Sequence, residues 1–505
     1  MQRKPWLAAL TGIALASTGC MVGPNYKRPS APAPPAFKEQ PPANFKEAAA
    51  AGWKQSQPGD AYFKGRWWEV YQDPALNALE QQVALSNQNV LQAEAQYREA
   101  KAAVGVARAA LFPVVSTGPA ITVSQSGGGG AGGTGFVSNG SVVGGGGGAA
   151  ASSIRTSYVF PFSASWAPDL WGNVRRDVTA NVNAAQALAA DLENAKLLYQ
   201  AELAQDYFGL HGIDAEADLL TRTEASYREY LTLTQNRFAQ GVASGLDVSQ
   251  AQSQLTDLQS QLIDLGVQRT AYEHAIAILI GKPPAELTIP AAGLNTPPPA
   301  VPIELPSELL ERRPDIAGAE RRVAAANEQI GIAMAAFYPT LTLGGSGGLA
   351  SSTIRTLFSW PSRFWSVGPQ LAETLFDAGR RRSIVAEERA AYDASVDAYR
   401  QTVLTAFQQV EDNLAALRIL ENETDKVRET IQAASEALAI SDAQYKAGTA
   451  DYLTVITSQA TLLNAQRTSV ELLARRLTAS VALIQALGGG WNASELPSRQ
   501  QVSTK

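Results

Sequence analysis

The chain has 505 residues, 45% of them hydrophobic, so it has room for two or three ordinary domains and wholesale disorder is excluded. A net charge of −6 provides no basic footprint, which argues against nucleic acid as a partner. One cysteine excludes an intrachain disulfide, and two histidines, His211 and His274, leave too little stock for a His/Cys metal cluster. Only 17% of residues are charged, a balance that suits long helices with polar but weakly charged faces.

The N-terminus reads as an address. Arg3 and Lys4 precede a short apolar run from Trp6 to Ala16, and small residues lead from Ser17 into Cys20. This is the layout of a secretory signal over residues 1–19, with an apolar run too short to span a bilayer. Cys20, the only cysteine, stands directly after Gly19, where a bacterial lipoprotein signal is cut and the thiol acylated. The alternative is an ordinary signal peptide with an incidental cysteine, and Ser17 stands where lipoprotein signals usually carry Leu. Residues 20–65 then form a tether, whose Pro-rich stretch from Pro24 to Pro42 reads as extended and unpacked.

No later apolar run approaches the ~18 residues of a transmembrane helix, so a membrane role must rest on strands. Four segments qualify, 114–125 and 157–167 around a Gly/Ser-rich insert, then 340–348 and 364–371 around a second loop. In the second segment Tyr158, Phe160, Phe162, Ala164 and Trp166 alternate with Val159, Pro161, Ser163 and Ser165, the period of an outer-membrane barrel strand. A pair of soluble hairpins fits the same pattern. Arg175-Arg176 and Arg380-Arg381-Arg382 follow the outgoing strands. They read either as anchors of a strand–helix junction at a membrane interface or as solvated charge at helix starts.

The rest is helix of unusual length. No proline interrupts Arg380 to Lys446, and Val396, Val403, Val410 and Leu417 form a heptad row, continued after a register shift by Leu420, Val427 and Ala434. At 1.5 Å per residue, roughly 67 residues span about 100 Å, more than a compact domain needs.

An internal repeat organises these pieces. Ala107 to Pro113 returns as Ala333 to Pro339, and Leu170 to Arg176 returns as Leu375 to Arg381. Phe238 to Gly241 with Leu246 to Val248 returns as Tyr445 to Gly448 with Leu453 to Val455, at a constant spacing of 207 residues. Repeat 1 spans 66–281 and repeat 2 spans 307–490, joined by a Pro-rich linker at 282–306 and followed by a tail at 491–505. Each repeat reads as helix, strand, loop, strand, long helix, tight turn and helix, with tips near 241–246 and 448–453. Four strands cannot close a barrel, and lipid tolerates no open sheet edge, so several chains must share one. Two chains would make the smallest barrel and three would make twelve strands; spacing alone does not choose.

Longer motifs carry a resemblance. Cys20 to Pro29, Trp67-Trp-Glu-Val-Tyr-Gln-Asp-Pro-Ala-Leu76, Leu305-Pro-Ser-Glu-Leu-Leu-Glu-Arg-Arg-Pro-Asp-Ile316, Asp169-Leu-Trp-Gly172 and the Arg237-Phe-x-x-Gly241 turn resemble those of outer-membrane factors of the TolC/OprM/NodT kind. The resemblance implies a membrane α+β fold. Three chains would build a twelve-stranded β-barrel, four strands each, continued by a twelve-helix periplasmic α-barrel. It also implies a periplasmic adaptor, an inner-membrane transporter of the proton-driven RND class, and export of small molecules across periplasm and outer membrane. A type I protein-secretion duct and a non-conducting periplasmic rod are the alternatives.

The same resemblance places adaptor-docking tips at Gly241, Val242, Gly448 and Thr449. It places a periplasmic gate at Leu453 and Thr457, with a tyrosine–aspartate link at Tyr445 and Asp247. Thr457 departs from the family's acidic ring, and Ala450 replaces the arginine that joins the link. Leu453 alternatively packs the turn. No Ser-His-Asp/Glu set, metal spacing or nucleophile elbow can be assembled, so neither catalysis nor a cofactor is expected. His211 and His274 read as structural.

Overall fold

The structure, a computed structural model, describes residues 21–34, 36–39, 66–126, 153–294, 296–299 and 311–503. The expected signal, the expected acylation site Cys20, most of the expected tether, the Gly-rich insert and the linker beyond 299 lie outside the described residues. The chain divides into two compact units that each draw on both repeats. One unit holds the described residues of 1–25, 104–180 and 327–390, and the other those of 26–103, 181–326 and 391–505.

The first unit is built on an antiparallel sheet of β1 (Val114–Thr117), β2 (Ala120–Ser126), β3 (Ser153–Trp166), β4 (Thr340–Ser351) and β5 (Arg363–Ala372). Its order is β1-β3-β4-β5, with β2 also pairing β3. The first expected strand, 114–125, is therefore interrupted. Thr117 pairs Phe162 and Ala120 pairs Val159, so one register carries across the break and sets Gly118 against Pro161 and Pro119 against Phe160. Neither proline has an N–H to donate, so the ladder lapses for two residues and resumes. Functionally these are four rows of strand per chain.

Register gives the sheet two different faces. Ile121 lies beside Tyr158, Phe160 beside Leu349, Trp166 beside Leu343, and Leu341 beside Leu371, all on one side. Trp365 and Val367 share that side and are among the most exposed hydrophobics of the chain. The other side carries a row of Ser163, Ser346 and Ser366, with Ser346 Oγ and Ser366 Oγ 2.8 Å apart. A sheet that exposes its apolar face across every strand is made for lipid rather than for water.

The strand-to-helix turns hold a buried ion pair. Arg176 is 1% exposed, against the expectation of solvated charge at a helix start. Its Nη1 donates to Glu328 at 2.7 Å and its Nε to the Val22 carbonyl at 2.6 Å, while Val22 N–H donates to Trp171 O. The segment just after Cys20 is thus packed, and Phe37, within the Pro24–Pro42 stretch expected to be unpacked, is buried in a hydrophobic core. Arg175 pairs with Asp169, and Arg381 with Asp377. The repeat alignment also shifts in this turn. Helices start at Asn173 and Arg380, and Ser165 and Ala372 hold the same hairpin register, so 207 residues separate equivalents here too. Leu170-Trp171 and Leu375-Phe376 look alike in sequence but stand two residues out of step.

The second unit is helical. It contains α1 (Pro74–Ser86) and most of α2 (Gln88–Ala109), α3 (Asn173–Ala239), α4 (Gly245–Leu279), α5 (Pro314–Ala335), α6 (Arg380–Ala447) and α7 (Tyr452–Ala486), then the short α8 (Arg499–Ser503). The heptad row Val396, Val403, Val410 and Leu417 is buried, joined in one core by Trp67, Tyr71, Phe208, Ile276, Ile316 and Leu477. The Arg-Pro-Asp signature has a structural cause. Arg313 donates to both Asp315 oxygens, to Gln409 and to the Ala486 carbonyl, capping the end of α7 with a cation. His211 Nδ1 faces Asp214 and the Ala292 carbonyl, and Arg269 ties Asp214 to Ile289 O, stapling the start of the linker to α3 and α4.

Glu80 is fully buried in α1, and neither carboxylate oxygen has a partner among the described residues. Burial holds its carboxyl well above the usual carboxylate range. The unfolded chain then loses this proton first as pH rises through the ordinary range. Stability therefore falls with rising pH above that range and is recovered on acidification. Glu80→Met should stabilise the protein by about 1–3 kcal/mol at mildly alkaline pH and by less at acid pH. Thermal melts of both chains across the pH range check this; a gain that does not depend on pH would contradict it.

Candidate functional site: the helical hairpin tips

Two helical hairpins end in turns of one design. At the first, Gly241 adopts φ +74°, Gly241 N–H donates to Phe238 O and Val242 N–H to Arg237 O. At the second, Gly448 adopts φ +77°, Gly448 N–H donates to Tyr445 O and Thr449 N–H to Gln444 O. Both close α-helices with paired back-bonds around a left-handed residue, a conformation that glycine adopts without strain. Each following helix then starts on a side-chain cap, with the residue types exchanged. Ser244 and Asp247 cap α4 reciprocally, whereas Asp451 accepts from Thr454 at α7.

The expected gate residues separate. Leu453 is 51% exposed, while Tyr452 and Val455 beside it are buried. Thr457 is exposed and its hydroxyl donates to the Leu453 and Thr454 carbonyls of its own helix. Within one chain Tyr445 and Asp247 each have other partners. The Asp247 carboxylate accepts from Ser244 N–H at 2.9 Å, as a cap must. Tyr445 is 3% exposed and packs in the hairpin core, its ring 5.4 Å from that of Tyr452.

Within the chain a tyrosine–aspartate link joins residues that sequence reasoning passed over. Tyr230 Oη donates to Asp442 at 2.7 Å, joining α3 to α6, and Lys446 donates to the same carboxylate at 2.8 Å. Burial pulls the Asp442 carboxyl upward, but the hydrogen bonds from Lys446 and Tyr230 outweigh it and hold the group below the usual range. Arg237 completes the joint. Its Nη1 donates to Tyr445 O at 2.9 Å and its guanidinium lies 4.5 Å from the Tyr445 ring centroid. Leu246, 207 residues before Leu453, is also exposed, at 66%. The constant spacing could have singled it out, whereas the Tyr230–Asp442 pair left no repeated motif to find.

Among the described residues no helix is long and apolar enough to cross a membrane, and no group of His, Cys, Asp and Glu is placed to hold a metal ion. A one-sided apolar sheet with open edges, together with two long helical hairpins closed by glycine turns, makes the parts of an outer-membrane channel subunit. The profile of the outer membrane efflux protein family matches residues 79–282 and 305–489. The probable efflux pump outer membrane protein SepC of Pseudomonas putida is 30% identical over 481 residues, 95% of this chain and 96% of SepC. The pyoverdine export outer membrane protein OpmQ of Pseudomonas aeruginosa is 30% identical over 449 residues, 88% of this chain and 92% of OpmQ. The solved outer-membrane channel OprN superposes with a TM-score of 0.82 at 27% identity, over 94% of this chain and all of that one. The chain belongs to the outer membrane efflux protein family. It has the fold of an outer-membrane channel with two tandem repeats, resides in the outer membrane and is the channel component of an efflux system.

Proposed function

We propose that three copies of this chain form one duct that expels small organic molecules through the outer membrane. A periplasmic adaptor would dock at the tips around Gly241, Val242, Gly448 and Thr449, and an inner-membrane transporter of the RND class would load the duct. Cys20 would carry the lipid anchor. The observation that carries this reading is the sheet: apolar across one face, unpaired at β1 on one side and β5 on the other, and too narrow at four rows to close alone. Three chains supply the twelve strands that the resemblance implies. The pyoverdine export for which OpmQ is named supports small molecules as cargo. Leu453 would narrow the closed pore by leaving it too tight and dry for ions.

One preparation tests the assembly. Native mass spectrometry of protein extracted from outer membranes should give three chains, each beginning at an acylated Cys20. The same sample in a planar bilayer should conduct. A stable monomer that conducts, or a trimer that never does, would overturn the proposal.

A further inference from the structure

The two edges of the sheet carry aromatic residues whose arrangement repeats a contact made inside the chain. Where β3 hands over to β4, Trp171 stacks on Tyr338 with ring centroids 4.8 Å apart and planes 27° from parallel. The Trp171 indole N–H also donates to the Pro339 carbonyl at 2.8 Å. Tyr338 stands two residues before β4 in the run Phe337-Tyr338-Pro339, and Phe112 stands two residues before β1 in the matching run Leu111-Phe112-Pro113.

All pairings in the sheet are antiparallel, so β5 runs as β3 does and β1 runs as β4 does. A seam between β5 of one copy and β1 of the next would therefore repeat the β3–β4 junction. At that seam apolar side chains are present and uncovered: Phe376 is 86% exposed, Phe112 67% and the flanking Leu375 89%. In the shared hairpin register Phe376 stands two residues earlier than Trp171 does, and its side chain has no N–H to donate, so the contact it can make is wholly apolar.

We infer that Phe376 of one copy stacks on Phe112 of its neighbour, flanked by Leu375, and that this contact seals the foot of the β5–β1 seam. The occupant is a second copy of this chain because the same junction within the chain already uses an aromatic after one strand to cover an aromatic before the next. The inference rests on the oligomer proposed above and adds the residues that join it.

The test uses the full chain in outer membranes, with Phe112→Cys and Phe376→Cys singly and together, treated with a short bismaleimide. The double variant should lose its monomer band to covalent dimers and trimers on a denaturing gel. Either single variant should stay monomeric, which also controls for Cys20. A double variant that stays monomeric while native mass spectrometry shows an intact trimer would overturn the contact alone; absence of any trimer would overturn the contact and the assembly together. Should the cysteine variants assemble poorly, Phe376→Trp serves. The emission that this variant adds to that of the parent chain should resist quenching by brominated phospholipid in vesicles, and strong quenching of that added emission would assign Phe376 to lipid and overturn the contact.

Discussion

Leu453→Ser should raise single-channel conductance several-fold and sensitise cells to large antibiotics such as vancomycin, while the melting temperature of the assembly stays put. The two halves of that expectation come from different physics. A ring of leucines obstructs a pore by excluding water from a narrow passage, so one hydroxyl per chain rewets it. Stability should hold because Leu453 is half exposed in the protomer and the hairpin core is made by its neighbours Tyr452 and Val455. An exposed substitution of this kind usually shifts stability by no more than about 0.5 kcal/mol. Leu246→Ser is the companion variant, since Leu246 occupies the same position of the first tip and is more exposed. A lowered melting temperature with a pore that remains closed would assign Leu453 to packing and remove it from the gate.

Arg176→Met should destabilise the protein by about 3–5 kcal/mol, because it strands the buried Glu328 carboxylate without its counter-charge. The change also frees the Val22 carbonyl, so the segment after Cys20 is held to the turn by one hydrogen bond fewer. Packing around this pair is close. A Cβ added at Gly331 would fall 2.3 Å from Arg176 Cδ, and one added at Gly23 would fall 2.6 Å from Gly331 Cα. Pairing Arg176→Met with Glu328→Leu should recover much of the loss, since removing both charges costs far less than orphaning one. Thermal melts of the two single variants and the pair decide this. Equal losses in the pair and the single would mean that shape rather than charge holds the turn.

Much of this architecture is written locally and could be read without coordinates. Heptad rows are dictated by helix geometry, and the row through Val396, Val403, Val410 and Leu417 is buried as that geometry requires. Gly241 and Gly448 announce themselves because a closed helical hairpin needs a left-handed residue there, and both adopt positive φ. Strand register is a different matter. Nothing local states that Phe160 lies beside Leu349 or Ser163 beside Ser346, and a slip of one residue would scatter the apolar face over both sides. Long-range side-chain partnerships were illegible for the same reason. Asp247 offered two readings, because a carboxylate three residues after Ser244 satisfies a helix start as well as it would satisfy a distant tyrosine, and within the chain it caps α4. Tyr230 and Asp442 lie 212 residues apart with no motif around either. Arg176 looked like surface charge because sequence does not reveal that Glu328 and a backbone carbonyl wait for it inside.

The staple at the start of the linker bears on how such a ring can be counted. Asp214 and Arg269 bind the chain at Ile289 and Ala292 to the first hairpin before the second repeat begins. One polypeptide thus always delivers two hairpins and four rows of strand as a single package. Whatever the number of copies, a closed ring can grow or shrink only by that package, and a ring with an odd number of hairpins cannot be assembled from whole chains. Since barrel diameter follows strand number, covalent fusion of the two halves turns pore width into a coarse ladder of sizes, with no rung for the small counting errors that single-hairpin subunits would allow.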